Sequence, residues 1–256
     1  MVRSLYTACT GMVHQMNRLD VVTNNMANSD TTAYKKEGST SQSFDSVYGI
    51  KINDSSVNYI HQNIGRMSLG VKVGETYTDY GDGNLEETEQ LYDMALSGKG
   101  FFAISYADRN GNESVRYTRD GNFTVNSQGV LMTKDGDFVL AEDGGLINIP
   151  EGVKISVDES GRITADGQEK AQLQLVDFED YNYLKKFGEN MYIAIDGATT
   201  KDAQCKVYQG YLEASNVNVV TEMVDMITIT RDYESNQKVI QTIDSTLEKS
   251  VALGRI

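Results

Sequence analysis

Both ends of this chain carry apolar side chains at alternating spacings of four and three, while the stretch between them alternates on a shorter period. Near the N-terminus the stepped positions are Leu5, Cys9, Met12, Met16, Leu19, Thr23 and Met26. Near the C-terminus they are Met223, Met226, Thr230, Tyr233, Gln237, Ile240, Asp244, Leu247 and Val251. A sustained 4,3 pattern makes one narrow stripe per helix, the geometry of a coiled-coil seam. It predicts a first helix over 4–28, with Ser4 as N-cap and an end near Asn28-Ser29-Asp30-Thr31-Thr32. It predicts a second over 219–251, with caps supplied by Ser215-Asn216-Val217-Asn218 and with Glu222 in the first turn, where the helix dipole favours negative charge. Thr23, Thr230, Gln237 and Asp244 interrupt the stripes, so neither helix is expected to be strongly stable alone. Gly11, inside the first, costs about 1 kcal/mol relative to Ala unless it permits close helix–helix approach.

Between the ends the pattern is β-like. Short apolar runs such as Phe101-Phe102-Ala103-Ile104, Asn122-Phe123-Thr124-Val125, Lys154-Ile155-Ser156-Val157, Gln172-Leu173-Gln174-Leu175-Val176 and Met191-Tyr192-Ile193-Ala194 are separated by turn residues. Asn110-Gly111, Asp120-Gly121, Asp135-Gly136, Asp143-Gly144, Asp166-Gly167 and Asp196-Gly197 supply the positive φ angles that tight hairpins need. Phe123–Met132 aligns with Ile155–Thr164 as strand, polar turn with Gly, strand. Similar hairpins of this kind build small sandwiches and open barrels. The expected fold class is therefore α+β. The long terminal helices pair as a coiled-coil-like domain (1–34 and 211–256) around a central all-β domain of hairpins (76–210). Segment 35–75, rich in Ser, Asn, Gly and Lys with β-prone Val57-Asn58-Tyr59-Ile60, reads as an extended connector or hairpin that becomes ordered against neighbouring subunits.

Charge sharpens this picture. The net charge is −14 over 256 residues. Residues 1–40 carry four basic and three acidic side chains, whereas 41–210 carry 15 basic and 27 acidic. An acidic body argues against nucleic acid, whose phosphates need a basic face, and a nearly neutral N-terminal arm enters a protein interface at lower electrostatic cost. No stretch approaches the roughly 18 apolar residues of a membrane helix. Met1-Val2-Arg3-Ser4 leads into an amphipathic segment and not into a cleavable signal, so the chain is expected to keep its N-terminus on export. Cys9 and Cys205 form no disulfide framework and no metal signature. Cys9, on the first stripe, reads as a small buried hydrophobe.

The residues offer no catalytic constellation and no cofactor or metal site. His14 lies off the first stripe and reads as a solvated helix residue. Ser97-Gly98-Lys99-Gly100 lacks the spacing of a phosphate loop and reads as a turn before the Phe101 strand. Asp79–Asn84 does not match the ligand order of a calcium loop.

The run Arg3-Ser4-Leu5-Tyr6-Thr7-Ala8, with Gly11-Met12 and Leu19-Asp20-Val21-Val22-Thr23-Asn24-Asn25-Met26-Ala27-Asn28 and then Tyr34-Lys35, resembles the start of bacterial flagellar rod and hook proteins. The run Tyr208–Val219 followed by Glu222-Met223-Val224 resembles the same family's second signature. Gly100-Phe101-Phe102, Tyr117–Phe123 and Gly129-Val130-Leu131 match between them, in order. Length and the Arg-Ser-Leu-Tyr opening are most similar to the distal rod type, with the proximal rod type next. The resemblance implies a structural axial subunit of the flagellar basal body with no enzyme activity and no cofactor. Such a subunit would be exported by the flagellar type III apparatus, outside the cytoplasmic membrane, without a cleaved signal peptide. It would stack helically with itself and with neighbouring rod and hook proteins, bind no nucleic acid and insert in no membrane. The assembly residues it implies are Leu5, Met12, Met16, Leu19, Asn24, Asn25, Met26 and Asn28 at one end. At the other they are Ser215, Asn216, Val217, Asn218, Met223, Met226, Tyr233, Ile240 and Leu247. The competing readings are a hook-type axial subunit and a β-domain binding module with helical oligomerising ends.

Overall fold

The computed structural model describes residues 2–51, 62–107, 113–150, 154–188 and 190–254, and it is α+β, with a long helix at each end and a β-rich region between. The chain divides into two compact units: Met1–Ala27, Glu37–Asp79 and Asn218–Ile256 in the first, Asn28–Lys36 and Tyr80–Val217 in the second.

The first unit holds α1 (Val2–Ala27), β1 (Glu37–Ser43), β2 (Val47–Lys51), β3 (Gln62–Met67), β4 (Val71–Thr78) and α2 (Val219–Leu253). Helix α1 starts at Val2, so Ser4 lies inside its first turn and is not the cap. The first N–H groups there need no side-chain cap where water can serve them. Asn218 does cap α2: its side-chain oxygen accepts the Thr221 N–H at 3.1 Å. Between the helices the strands nest. β1 pairs antiparallel with β4 from Glu37↔Thr78 to Ser43↔Val71, and β2 pairs with β3 inside them. The β-prone Val57–Ile60, His61 and the Asn110-Gly111 turn lie outside the described residues.

The second unit is built of short strands: β5 (Leu85–Glu87), β6 (Met94–Lys99), β7 (Phe101–Ala107), β8 (Glu113–Thr118), β9 (Phe123–Val125), β10 (Leu131–Thr133), β11 (Phe138–Val139), β12 (Ile155–Val157), β13 (Arg162–Ala165), β14 (Gln168–Gln172), β15 (Leu175–Phe178), β16 (Leu184–Phe187), β17 (Met191–Ala194), β18 (Thr200–Asp202), β19 (Gln204–Gln209) and β20 (Tyr211–Glu213). The largest sheet runs β16-β17-β8-β7-β11-β10-β9, with β15 joining β7 to β18; β12-β13-β14 form a meander, and β19-β6 and β20-β5 are pairs.

The repeat read from the sequence is a repeat of structure. Phe123 pairs with Thr133 as Ile155 pairs with Ala165, and Val125 with Leu131 as Val157 with Ile163. Each turn closes on a left-handed glycine, Gly129 at φ 83° and Gly161 at φ 79°. The β13–β14 hairpin turns on Asp166 and Gly167, both at positive φ, as a two-residue turn between right-twisted strands requires. Asp120-Gly121 is different: Gly121 is not left-handed, and a Cβ there would lie 1.5 Å from the Met94 carbonyl oxygen, so this glycine serves close approach and not a hairpin.

Two other sequence readings are corrected. Ser97–Gly100 is not a turn; Met94–Lys99 is a strand, paired with β19 from Met94↔Gln209 to Lys99↔Gln204. Its glycines let β19 come close, since a Cβ on Gly98 would lie 2.9 Å from the Gln204 carbonyl oxygen. The run 172–176 is not one strand, because Leu173 N–H bonds to Gly161 O and Gln174 N–H to Leu140 O where the chain passes from one sheet to the next.

β7 separates two cores, as the two-residue period of a doubly buried strand dictates. Phe102 and Ile104 join Met94, Leu96, Phe123, Leu131, Ile147 and Ile163 in the larger core. Phe101 points into the smaller one with Phe178, Leu184 and Tyr192, where Tyr80 meets Phe101 edge-on at 6.1 Å.

Candidate assembly interface

Helices α1 and α2 pack antiparallel within the first unit. Gln15 Nε2 donates to Asp232 Oδ2 at 3.1 Å, and Asn25 Nδ2 to Glu222 Oε2 at 3.3 Å. Gly11 faces Asn236, whose amide nitrogen would stand 3.1 Å from a Cβ at position 11. In all three pairs the residue numbers add to 247, so one register holds along the contact.

That register chooses faces that polarity alone does not reveal. The covered positions of α1 include Ala8, Gly11, Gln15, Arg18, Val22 and Asn25, each one residue before the stepped apolar positions. On α2 they are Glu222, Met226, Ile229, Tyr233, Asn236, Ile240, Ile243 and Leu247. Met226, Tyr233, Ile240 and Leu247 thus lie on the packed face, while Met223 is exposed. Leu5, Met12, Leu19 and Met26 are half-covered; Met16 and Asn24 are exposed. Cys9 is exposed and not a buried hydrophobe. The reason is that small and hydrogen-bonding residues, Gly11 with Asn236 and Asn25 with Glu222, make the closest helix contact. Glu222 therefore does more than answer the helix dipole: it is 1% exposed and bonded by Asn25.

The apolar stripes lie beside this contact, and Met16 and Leu19 of α1 with Ile229, Thr230 and Tyr233 of α2 line a groove of about 370 Å³. Met16 and Met223 are each 49% exposed, Ile227 52% and Val220 71%. His14 is buried, not solvated as its place off the stripe suggested, because β1 covers that side of α1 and Ser41 Oγ lies 2.8 Å from His14 Nε2. Burial pushes its pKa below the ordinary histidine value, and the Arg18 charge adds to the effect.

The asparagine-rich boxes act largely inside the chain. Asn25 binds the Glu37 backbone twice, donating to its O at 2.8 Å and accepting from its N–H at 2.9 Å. Asn28 Oδ1 accepts the Thr31 hydroxyl at 3.2 Å. In the second unit Asn216 accepts Lys36 N–H at 2.7 Å and donates to Gly81 O at 3.2 Å, and Ser215 Oγ accepts Val217 N–H at 3.3 Å. Val217 is half-buried.

Beside them lies a buried ionic cluster that sequence reasoning missed. Lys35 Nζ pairs with Glu213 Oε1 and donates to Gly81 O at 2.8 Å, and both side chains are fully enclosed. Arg119 Nη1 reaches Glu213 Oε2 at 3.4 Å and Asp82 Oδ1 at 3.2 Å, while Nη2 donates to Gly98 O at 2.8 Å. Gly83 N–H donates to Glu213 Oε1 at 2.8 Å. Burial lowers the Lys35 pKa against the raising influence of Glu213. Ala33 N–H bonds to Glu213 O at 2.7 Å, so the segment after α1 and the segment before α2 are fastened together within the second unit. The available signal was a single charge inside the apolar run Tyr211-Leu212-Glu213-Ala214, whereas Lys35 opens the charged triplet Lys35-Lys36-Glu37 and gave none.

Among the described residues no group of three or more His, Cys, Asp or Glu side chains is placed to hold a metal ion, and no helix is long and apolar enough to cross a membrane. A clamped β unit and a helix pair with one uncovered apolar flank define a structural subunit.

Comparison with known proteins narrows that class. Residues 5–35 match the family described as flagella basal body rod protein, 95–165 the flagellar hook protein FlgE/F/G D1 domain, and 208–253 the flagellar basal body rod FlgEFG protein C-terminal region. The chain is 32% identical to the flagellar basal-body rod protein FlgG of Bacillus subtilis, over 100% of both chains. It is 32% identical to FlgG of Buchnera aphidicola from Schizaphis graminum, over 97% of this chain and 98% of the relative. It is 33% identical to the rod protein FlgF of Caulobacter vibrioides, over 98% and 96%. The chain belongs to the flagellar basal-body rod protein family, with FlgG-type likeness along nearly its whole length, and is a structural subunit of the rod.

Proposed function

We propose that this subunit polymerises helically through the uncovered flank of its helix pair, as part of the shaft that carries torque towards the hook. The observation that carries the reading is the set of half-exposed apolar side chains beside the α1–α2 contact, Met16 and Met223 among them. An apolar face of this kind marks an association surface, and non-closing contacts between identical subunits generate filaments. Leu5, Met12, Leu19, Asn24, Met26, Met226, Tyr233, Ile240 and Leu247 contribute at or beside this flank. Asn25, Asn28 and Ser215–Asn218 contribute by holding each helix end in its geometry. Pairing of the helices would be coiled-coil-like, continued from one copy to the next. The subunit acts outside the cytoplasmic membrane after export without signal cleavage, by the flagellar export apparatus, and catalyses nothing. Its partners are further copies of itself and neighbouring rod and hook proteins. The test is the full chain with Met16→Glu and Met223→Glu. Filaments seen by electron microscopy for the parent chain should vanish for the variant, while its circular dichroism stays unchanged. A variant that polymerises as readily would overturn the reading.

A further inference from the structure

The uncovered flank of the helix pair carries the two most open methionines of the described chain. Met16 and Met223 are each 49% exposed, and every other described methionine is buried or half-buried. Met94 is fully enclosed, Met191 packs against the larger core, and the half-buried Met67 has its sulfur 3.7 Å from Arg3 Nη1. The two open thioethers stand on the same side of the helix contact. Met16 lines the groove with Leu19, Thr230 and Tyr233. Met223 lies two turns of α2 before Thr230 and so shares its face.

A thioether combines apolar packing with ready oxidation. With hydrogen peroxide the sulfur lone pair attacks one peroxide oxygen, the O–O bond breaks, and the products are a sulfoxide and water. The sulfur is oxidised by two electrons and the peroxide is reduced by two. The sulfoxide is polar and chiral, and it no longer packs as an apolar side chain. Reaction follows exposure, so Met16 and Met223 react ahead of the covered methionines. Their oxidation leaves the fold in place, because the helices meet through other residues, Gly11 with Asn236 and Asn25 with Glu222. What changes is the polarity of the flank.

We propose that Met16 and Met223 form an oxidative modification site that controls assembly. A peroxide converts both to the sulfoxide in the free subunit and blocks polymerisation, and a thiol-dependent sulfoxide reductase restores it. The inference rests on the polymer reading and adds a chemical control to its surface. The reversal balances: the sulfoxide oxygen leaves as water while two thiols become a disulfide. Association covers the same two sulfurs, so the switch acts on the free subunit, and a subunit already in the shaft is protected.

The experiment uses the full chain with Cys9→Ser, which removes the exposed thiol, with and without Met16→Leu and Met223→Leu. The free subunit is treated with hydrogen peroxide, the peroxide is removed, and added oxygen is mapped by peptide mass spectrometry. Met16 and Met223 are expected to gain oxygen before any other methionine, with circular dichroism unchanged. The concentration needed for filaments should rise at least about tenfold. Reductases for both sulfoxide epimers, with dithiothreitol, should bring it back. The leucine variant, a volume-conserving change, should assemble and ignore peroxide, and preformed parent filaments should keep both thioethers at the same dose. Oxidised parent chain that assembles as readily, or a leucine variant blocked to the same extent, would overturn the switch and leave the polymer reading intact. Reduction that fails to restore assembly would overturn it as well, whatever the leucine variant does. A parent chain that forms no filament at all would overturn both.

Discussion

At the scale of the residue, burial of charge is the dominant feature. Glu213 is enclosed and answered by Lys35, Arg119 and the Gly83 N–H. Removing one partner of such a group strands the other, which costs about 3–5 kcal/mol. The Lys35→Met variant is expected to lower the stability of the β unit by about 3 kcal/mol, read as a shifted urea midpoint, and the Lys35→Met/Glu213→Gln double variant to recover part of the loss. His14 makes the first unit pH-sensitive. Its folded pKa is depressed below 6.5, so the unfolded chain binds the proton more readily. Stability is therefore full above about pH 6.5 and is lost as pH falls towards the folded pKa. The melting temperature of the helix pair should drop over that range, and His14→Gln should flatten the dependence. Neither role was visible in the chain. A histidine off the apolar stripe looks solvated until β1 is seen to cover it, and Lys35 and Glu213, far apart in sequence, meet only in the fold.

At the scale of the element, the helices and hairpins were largely legible and their facing was not. Helix α2 and its Asn218 cap, the paired hairpins at β9–β10 and β12–β13, and the Asp166-Gly167 turn follow from local chemistry, because period, cap and positive φ are properties of neighbouring residues. The packed faces depend on the partner. Gly11 shows the difference: on its own it is a helix defect, whereas opposite Asn236 it is the point of closest approach. Gly11→Ala is expected to change helix-pair stability by less than about 1 kcal/mol, since gained helix propensity offsets a small displacement of Asn236. Gly11→Leu should cost about 2 kcal/mol by overpacking; thermal unfolding followed at 222 nm separates the two. Gly121→Ala should destabilise the β unit by about 3 kcal/mol or more, because its Cβ has no room against the Met94 carbonyl.

At the scale of the whole molecule, the division into units differs from the division of the sequence. Residues 28–36 follow α1 in the chain yet belong to the β unit, through buried Tyr34 and Lys35. Hydrogen exchange should show this directly: amides of Ala33 and Lys36 should be protected as strongly as those of β20, while the overhanging Thr246–Leu253 exchanges fastest of α2. Equal exchange of 28–36 with α1 would contradict the assignment. By itself the sequence determined the helical ends, the hairpin-built middle, the acidic body and the family, because these are written in spacing, turn chemistry and composition over short stretches. The tertiary structure alone decided which stripe each helix buries, where Lys35, Arg119 and Glu213 meet, and which apolar flank stays uncovered. Those depend on register between segments some 200 residues apart, and no local pattern encodes a register.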